Sequence, residues 1–126
     1  MGGMGTSIYI LDWNGTLNTV ADPVRFVTVL KKHGHKVVIW SNTPPTTHPV
    51  RHAVDHVFHK EDLGSLINVL RGEWPEAETV VVADNKRANK ATWLALALDE
   101  ALDLGEVLHF LDPRDLNRHL ESVRAA

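Results

Sequence analysis

The segment Ser7-Ile8-Tyr9-Ile10-Leu11-Asp12-Trp13-Asn14-Gly15-Thr16-Leu17 carries the reading of the whole chain. A short apolar, β-branched run ends on a carboxylate, and a turn containing glycine and threonine follows at once. Apolar runs of this length read as strands covered on both faces, which is the environment of a parallel sheet between helices. In such sheets ligands bind beyond the carboxyl ends of the strands, so Asp12 is delivered to the place where chemistry is done.

Similar runs recur at Lys36 to Trp40, Val54 to Phe58, Thr79 to Ala83 and Val107 to Leu111, each separated by helix-like sequence. The alternation predicts a three-layer α/β/α sandwich around a five-stranded, mostly parallel, Rossmann-like sheet. Asp22-Pro23 reads as an N-cap and first helical residue, and Lys31-Lys32-His33-Gly34 as the end of that helix. Asp112-Pro113 repeats the start signal for a C-terminal helix. Thr92 to Leu104 places Trp93, Leu94, Ala97, Leu98, Ala101 and Leu102 on one face, and Asp62 to Arg71 supplies a further helix. A short helix is also expected within Pro49 to Val54, in a region that Pro44, Pro45 and Pro49 keep partly irregular.

The chain has 126 residues, 44% of them hydrophobic, which suits one core and one domain, 7–126, after a flexible lead-in over 1–6. The net charge of −3 and the lack of a basic run leave no general nucleic-acid patch. Cysteine is absent, so thiolate metal sites and disulfides are excluded. No apolar stretch approaches a membrane span and the start lacks signal-peptide character, so no membrane partner and a cytoplasmic address are expected. The oligomeric state stays open, a homodimer included.

Four of the predicted strands end on groups that suit phosphoryl chemistry: Asp12, Ser41, Lys60 just after the third strand, and Asp84. They offer a nucleophile, a hydroxyl donor, a cation and a second carboxylate. The turn D-W-N-G-T-L resembles the nucleophile motif of the haloacid dehalogenase superfamily, D-x-D-G-T-L, and the order aspartate, serine, lysine, acid after successive strands is that family's order. The resemblance covers Ile8 to about Asn89.

It implies a phosphatase or phosphotransferase in which Asp12 forms an aspartyl-phosphate. Mg²⁺ would be held by Asp12, Asp84 and the backbone carbonyl of Asn14. Ser41 and Lys60 would grip the phosphoryl oxygens, with Trp13, Gly15, Thr16 and Asn42 lining the substrate. Lys86 and Lys90 are alternative phosphate ligands. Two positions depart from the pattern. Asn14 stands where the family has an acid/base aspartate worth about 10²- to 10⁴-fold in rate, and the fourth motif has Ala88 and Asn89 where another acid is usual. Slow turnover is therefore expected, with a catalytically degenerate binding or regulatory module as the alternative.

The loops after the first two strands, about ten residues each, are too short for a cap domain. An open site follows, with Trp13 and Trp40 as its aromatic edge, and the resemblance to capless members of the family implies a phosphate on a large molecule or a substrate closed off by a partner chain. A dehalogenase would need a closed apolar cavity and is disfavoured. A receiver domain would place its acceptor aspartate after the third strand, where His59-Lys60 stands, which leaves Asp55 as the rival metal-site aspartate. His48, His52, His56 and His59 cross from a proline-rich loop into a strand, so they read as ordinary solvent-facing or hydrogen-bonded histidines and not as a metal cluster. Trp93 is expected in the core and Trp74 as a loop anchor.

Overall fold

The computed structural model describes residues 5–75, 77–84 and 92–125. Five strands, β1 (Ser7–Asp12), β2 (Lys36–Ser41), β3 (His56–His59), β4 (Thr79–Ala83) and β5 (Leu108–Phe110), form one sheet in the order β3-β2-β1-β4-β5. Every pairing is parallel. The helices α1 (Pro23–Lys32), α2 (Leu63–Gly72), α3 (Thr92–Leu102) and α4 (Leu116–Ala125) complete an α/β sandwich of three layers.

Alternation along the strands divides the core in two. Tyr9, Leu11, Val37, Ile39, Val81 and Ala83 face α1 and α4, where Phe26, Val27, Leu30, Leu116 and Val123 meet them. Ile8, Ile10, Val38, Trp40, Val80 and Val82 face α2 and α3, where Leu66, Leu70, Leu94 and Leu98 complete a second cluster. Each strand face is thus dry, which is why the strand sequences are nearly continuous apolar runs.

The helix ends follow local chemistry. The Asp22 carboxylate accepts from Arg25 N–H at 3.0 Å with Pro23 in the first turn, and the Asp62 carboxylate accepts from Ser65 N–H at 3.2 Å. At the other end of α1, Gly34 takes φ 89°, so that its N–H reaches Lys31 C=O at 3.0 Å and His35 N–H reaches Leu30 C=O at 3.1 Å.

Several expected boundaries move. The third strand begins at His56 and not Val54, because Asp55 N–H already bonds Val37 C=O while its carboxylate takes Val37 N–H at 2.8 Å. The expected short helix in Pro49 to Val54 is a series of turns after a 3-10 segment, Pro45–Thr47, where the prolines withhold the donors a helix needs. β5 is only three residues long, preceded by a 3-10 turn at Gly105–Val107, and α3 stops at Leu102, before Asp103 with φ 52°. The C-terminal helix starts as a 3-10 turn, Pro113–Asp115, on the Asp112 cap.

Candidate active site

The chain runs outward from β1 through β2 to β3, then crosses back to lay β4 on the other side of β1. The reversal lies between β1 and β4, which makes the carboxyl ends of these two strands the natural ligand crevice. Leu11 pairs with Ala83, so the next residues, Asp12 and Asp84, stand level with each other there. Both are 3% exposed.

The turn after β1 folds back on its own carboxylate. Trp13 C=O accepts from Thr16 N–H at 3.2 Å and from Asn18 N–H at 3.1 Å, with Gly15 at φ 74°. A side chain at that φ would be strained, so glycine is what lets the turn close. Gly15 N–H donates to Asn18 Oδ1 at 2.8 Å, and the Thr16 hydroxyl donates to Asp12 Oδ2 at 3.0 Å. Thr16 is fully buried, so its first contact is the carboxylate and not bulk solvent.

Lys60 follows β3, two strand spacings from β1, a distance of about 9–10 Å. Its backbone N–H is held by Ser41 C=O at 3.1 Å, and its long stem carries Nζ across to Asp12 Oδ1 at 2.6 Å. The same ammonium lies 3.9 Å from Asp84 Oδ2. One cation therefore spans both carboxylates, and the two oxygens of Asp12 are claimed by Lys60 and Thr16.

Ser41 ends β2 one residue beyond the Asp12–Trp40 pair, and is buried. Its Oγ accepts from Thr43 N–H at 3.0 Å, which fixes the oxygen and leaves the hydroxyl proton to be donated. Asn14, Gly15 and Asn42 are exposed on the outer side of this ring. Asn85, Lys86, Asn89 and Lys90 lie outside the described residues.

Asp12 and Asp84 present hard oxygen donors around one cation, and the Asn14 carbonyl belongs to the adjoining turn. Two carboxylates with a carbonyl suit the sparse, water- and phosphate-completed shell of Mg²⁺. Among the described residues no group of three or more histidine, cysteine, aspartate or glutamate side chains is gathered as a metal cage.

The histidine run disperses as its crossing of loop and strand predicts. His56 pairs with Glu73 at 3.1 Å and stacks on Phe58, His59 Nδ1 accepts from Glu61 N–H at 3.1 Å, and His52 is exposed. His48 is the surprise: it is completely buried, its Nδ1 accepts from Val50 N–H at 3.3 Å, and its ring meets Trp13 edge to face at 4.9 Å. Burial holds its pKa below the usual histidine range. No spacing rule signals this contact, since it joins two loops through a purely tertiary packing.

Trp13 is half-buried over His48 and the α1/α4 core. The aromatic edge expected from Trp40 is not there: its side chain points to the α2/α3 face and is 3% exposed, because the strand alternation that turns Ile39 to one side turns Trp40 to the other. Trp74 anchors its loop against the α2/α3 cluster and His56, as expected. The Trp93 side chain lies outside what is described. Asp55 sits at the opposite end of the sheet from Asp12, paired with Lys31 at 3.2 Å, so the receiver-type arrangement is not the one built here.

No family model and no curated protein matches the chain. A solved structure described as "Structure of MT0777" matches over 94% of this chain and 96% of that one, with 16% identity and a TM-score of 0.46.

Proposed function

We propose that the chain is a Mg²⁺-dependent phosphohydrolase or phosphotransferase with Asp12 as nucleophile, slowed by asparagine at position 14. The reading rests on one observation above the rest: a buried carboxylate at the switch point of the sheet, held by Lys60 at 2.6 Å, with Asp84 across the same ammonium. Mg²⁺, when bound by Asp12, Asp84 and the Asn14 carbonyl, would neutralise charge so that a phosphate anion can approach a carboxylate. Asp12 attacks phosphorus as the bond to the leaving oxygen breaks. Lys60 and the Ser41 hydroxyl take up the charge on the phosphoryl oxygens, and Thr16 keeps the carboxylate aligned.

The Asn14 amide can donate a hydrogen bond but cannot pass a proton to a leaving alkoxide. Turnover should thus depend on how little help the leaving group needs. Among the described residues the loops that follow β1 and β2 hold the short 3-10 turns Leu17–Thr19 and Pro45–Thr47, which suits a phosphate carried on a large molecule or a partner that closes the crevice.

Hydrolysis of an aryl phosphate with Mg²⁺ tests this in three forms of the protein. The natural chain should be weakly active, Asn14→Asp should gain about 10²-fold or more, and Asp12→Ala should be inert. Inactivity in all three would instead support a module that keeps the pocket for binding alone, the second reading that Asn14 favours.

A further inference from the structure

We propose that the chain carries a second binding site, between the ends of α2 and α3, for a small monocarboxylate whose body is apolar, a single ring or a short alkyl chain. It lies toward the pole of the sheet opposite Asp12 and does not depend on the reading of Asp12 as nucleophile. Ile8 and Val80, paired near the amino ends of β1 and β4, floor a hollow of about 300 Å³. Its walls include Leu70 of α2, Leu102 of α3, Trp74 and Val107. Ile8 precedes Asp12 along β1 by about 13 Å, so the two sites do not overlap.

Local structure sets the walls on both sides. After α3 the chain turns through Asp103 at φ 52° and Gly105 at φ 54°, and the Asp99 carboxylate takes Gly105 N–H at 2.6 Å. Val107 N–H then reaches Leu104 C=O at 3.0 Å, and both side chains line the hollow. On the α2 side Trp74 C=O accepts from Ala77 N–H at 3.2 Å, and the Trp74 ring leans on His56 at 5.7 Å, so the indole wall is already in place. An apolar cavity of about 150 Å³ is enough to hold benzene. The hollow therefore has room for one ring with a short chain, at the small end of the range for ligand pockets.

Among the described residues that line it, Arg71 alone is charged, and it stands exposed at the rim. Its Nη2 donates to the Ala101 C=O at 3.1 Å, a carbonyl of the last turn of α3 that has no partner within its own helix. A guanidinium carries five N–H donors in one plane. The donors that the Ala101 bond leaves over can pair with a carboxylate, the planar anion whose shape they match. Glu73, two residues on, pairs with His56 instead. A neutral apolar molecule would fill the hollow without using the guanidinium, and a phosphate would set a second charge against apolar walls. An apolar monocarboxylate uses both features.

The test is an NMR titration of the full chain with 3-phenylpropanoate, followed by amide and indole shifts, and repeated with 3-phenylpropanol. The carboxylate should bind at sub-millimolar concentration, with saturable shifts at the Trp74 indole and the Leu102, Leu104 and Val107 amides. The alcohol should bind about tenfold more weakly or less, and Arg71→Gln should weaken the carboxylate by a similar factor. Ala101→Leu, which fills the hollow from a helical position, should abolish the shifts while the rest of the spectrum keeps its dispersion. Equal affinity for acid and alcohol, or for the natural chain and Arg71→Gln, would overturn the proposal. So would the lack of saturable shifts, or shifts centred on Asp12 and Ser41.

Discussion

Lys60 is the cation between the two buried strand-end carboxylates. Its ammonium is 2.6 Å from one buried carboxylate and 3.9 Å from another, so the resting protein depends on it for charge balance. Removing one partner of a buried pair leaves an uncompensated charge, at a cost of about 3–5 kcal/mol, while removing both costs far less. Lys60→Met should accordingly lower stability by about that amount in urea titrations at neutral pH, and Asp12→Asn in the same chain should recover part of it. Stability unchanged in Lys60→Met would mean that the pair is solvated and not structural. Asp12, Ser41, Lys60 and Asp84 are legible as strand-end residues because the apolar runs stop at or just before them. That the Thr16 hydroxyl turns back on Asp12, and that His48 packs beneath Trp13, is not, since neither follows from spacing along the chain.

Helix α4 closes on β1 and the end of α1 through a histidine-rich seam. Tyr9 Oη and His119 Nε2 share a hydrogen bond of 2.6 Å, and His35 Nδ1 accepts from Ser7 N–H at 3.1 Å. His35 and His119 both meet the Tyr9 ring edge on. Burial lowers the pKa of His35, with His33 and His119 adding repulsion, and burial lowers that of His119; the Tyr9 hydroxyl is pushed up to about 12 and stays protonated. Protonating His35 at Nδ1 would also set two donors against each other at Ser7. Both histidines are thus neutral in the native state and bind a proton more readily when unfolded, so stability falls as pH drops below about 6.5. The urea midpoint should decline from about pH 7.5 to about pH 5.5, and His35→Gln should flatten that decline. An unaltered pH slope in the variant would place the titrating groups elsewhere. The helices themselves are readable from Asp22-Pro23, Asp62 and Gly34. The irregularity around Pro44, Pro45 and Pro49 is also readable, but the run of turns over Pro49 to Val54 in place of a short helix is not, because only the packed loop shows where the donors go.

Two dry layers share one five-stranded sheet, so the molecule should unfold as a unit. Leu30 packs on the α1/α4 side and Leu66 on the α2/α3 side, both fully buried. Each truncation to alanine should cost about 2–5 kcal/mol and the pair should add nearly independently, since the sheet separates them. Coincident far-ultraviolet and tryptophan transitions would confirm one cooperative unit; separate transitions would show that the layers melt apart. Among the described residues no helix is long and apolar enough to cross a membrane. The α/β class, the parallel sheet and the four strand-end groups can be read from the chain because they depend on local periodicity: apolar runs of strand length, capping residues, and polar groups where the runs stop. Strand order cannot, nor can the meeting of Lys60 with both carboxylates, the side to which Trp40 turns, or the burial of His48. Those depend on which segments pack together across the sheet, and no pattern within a single segment encodes its neighbour.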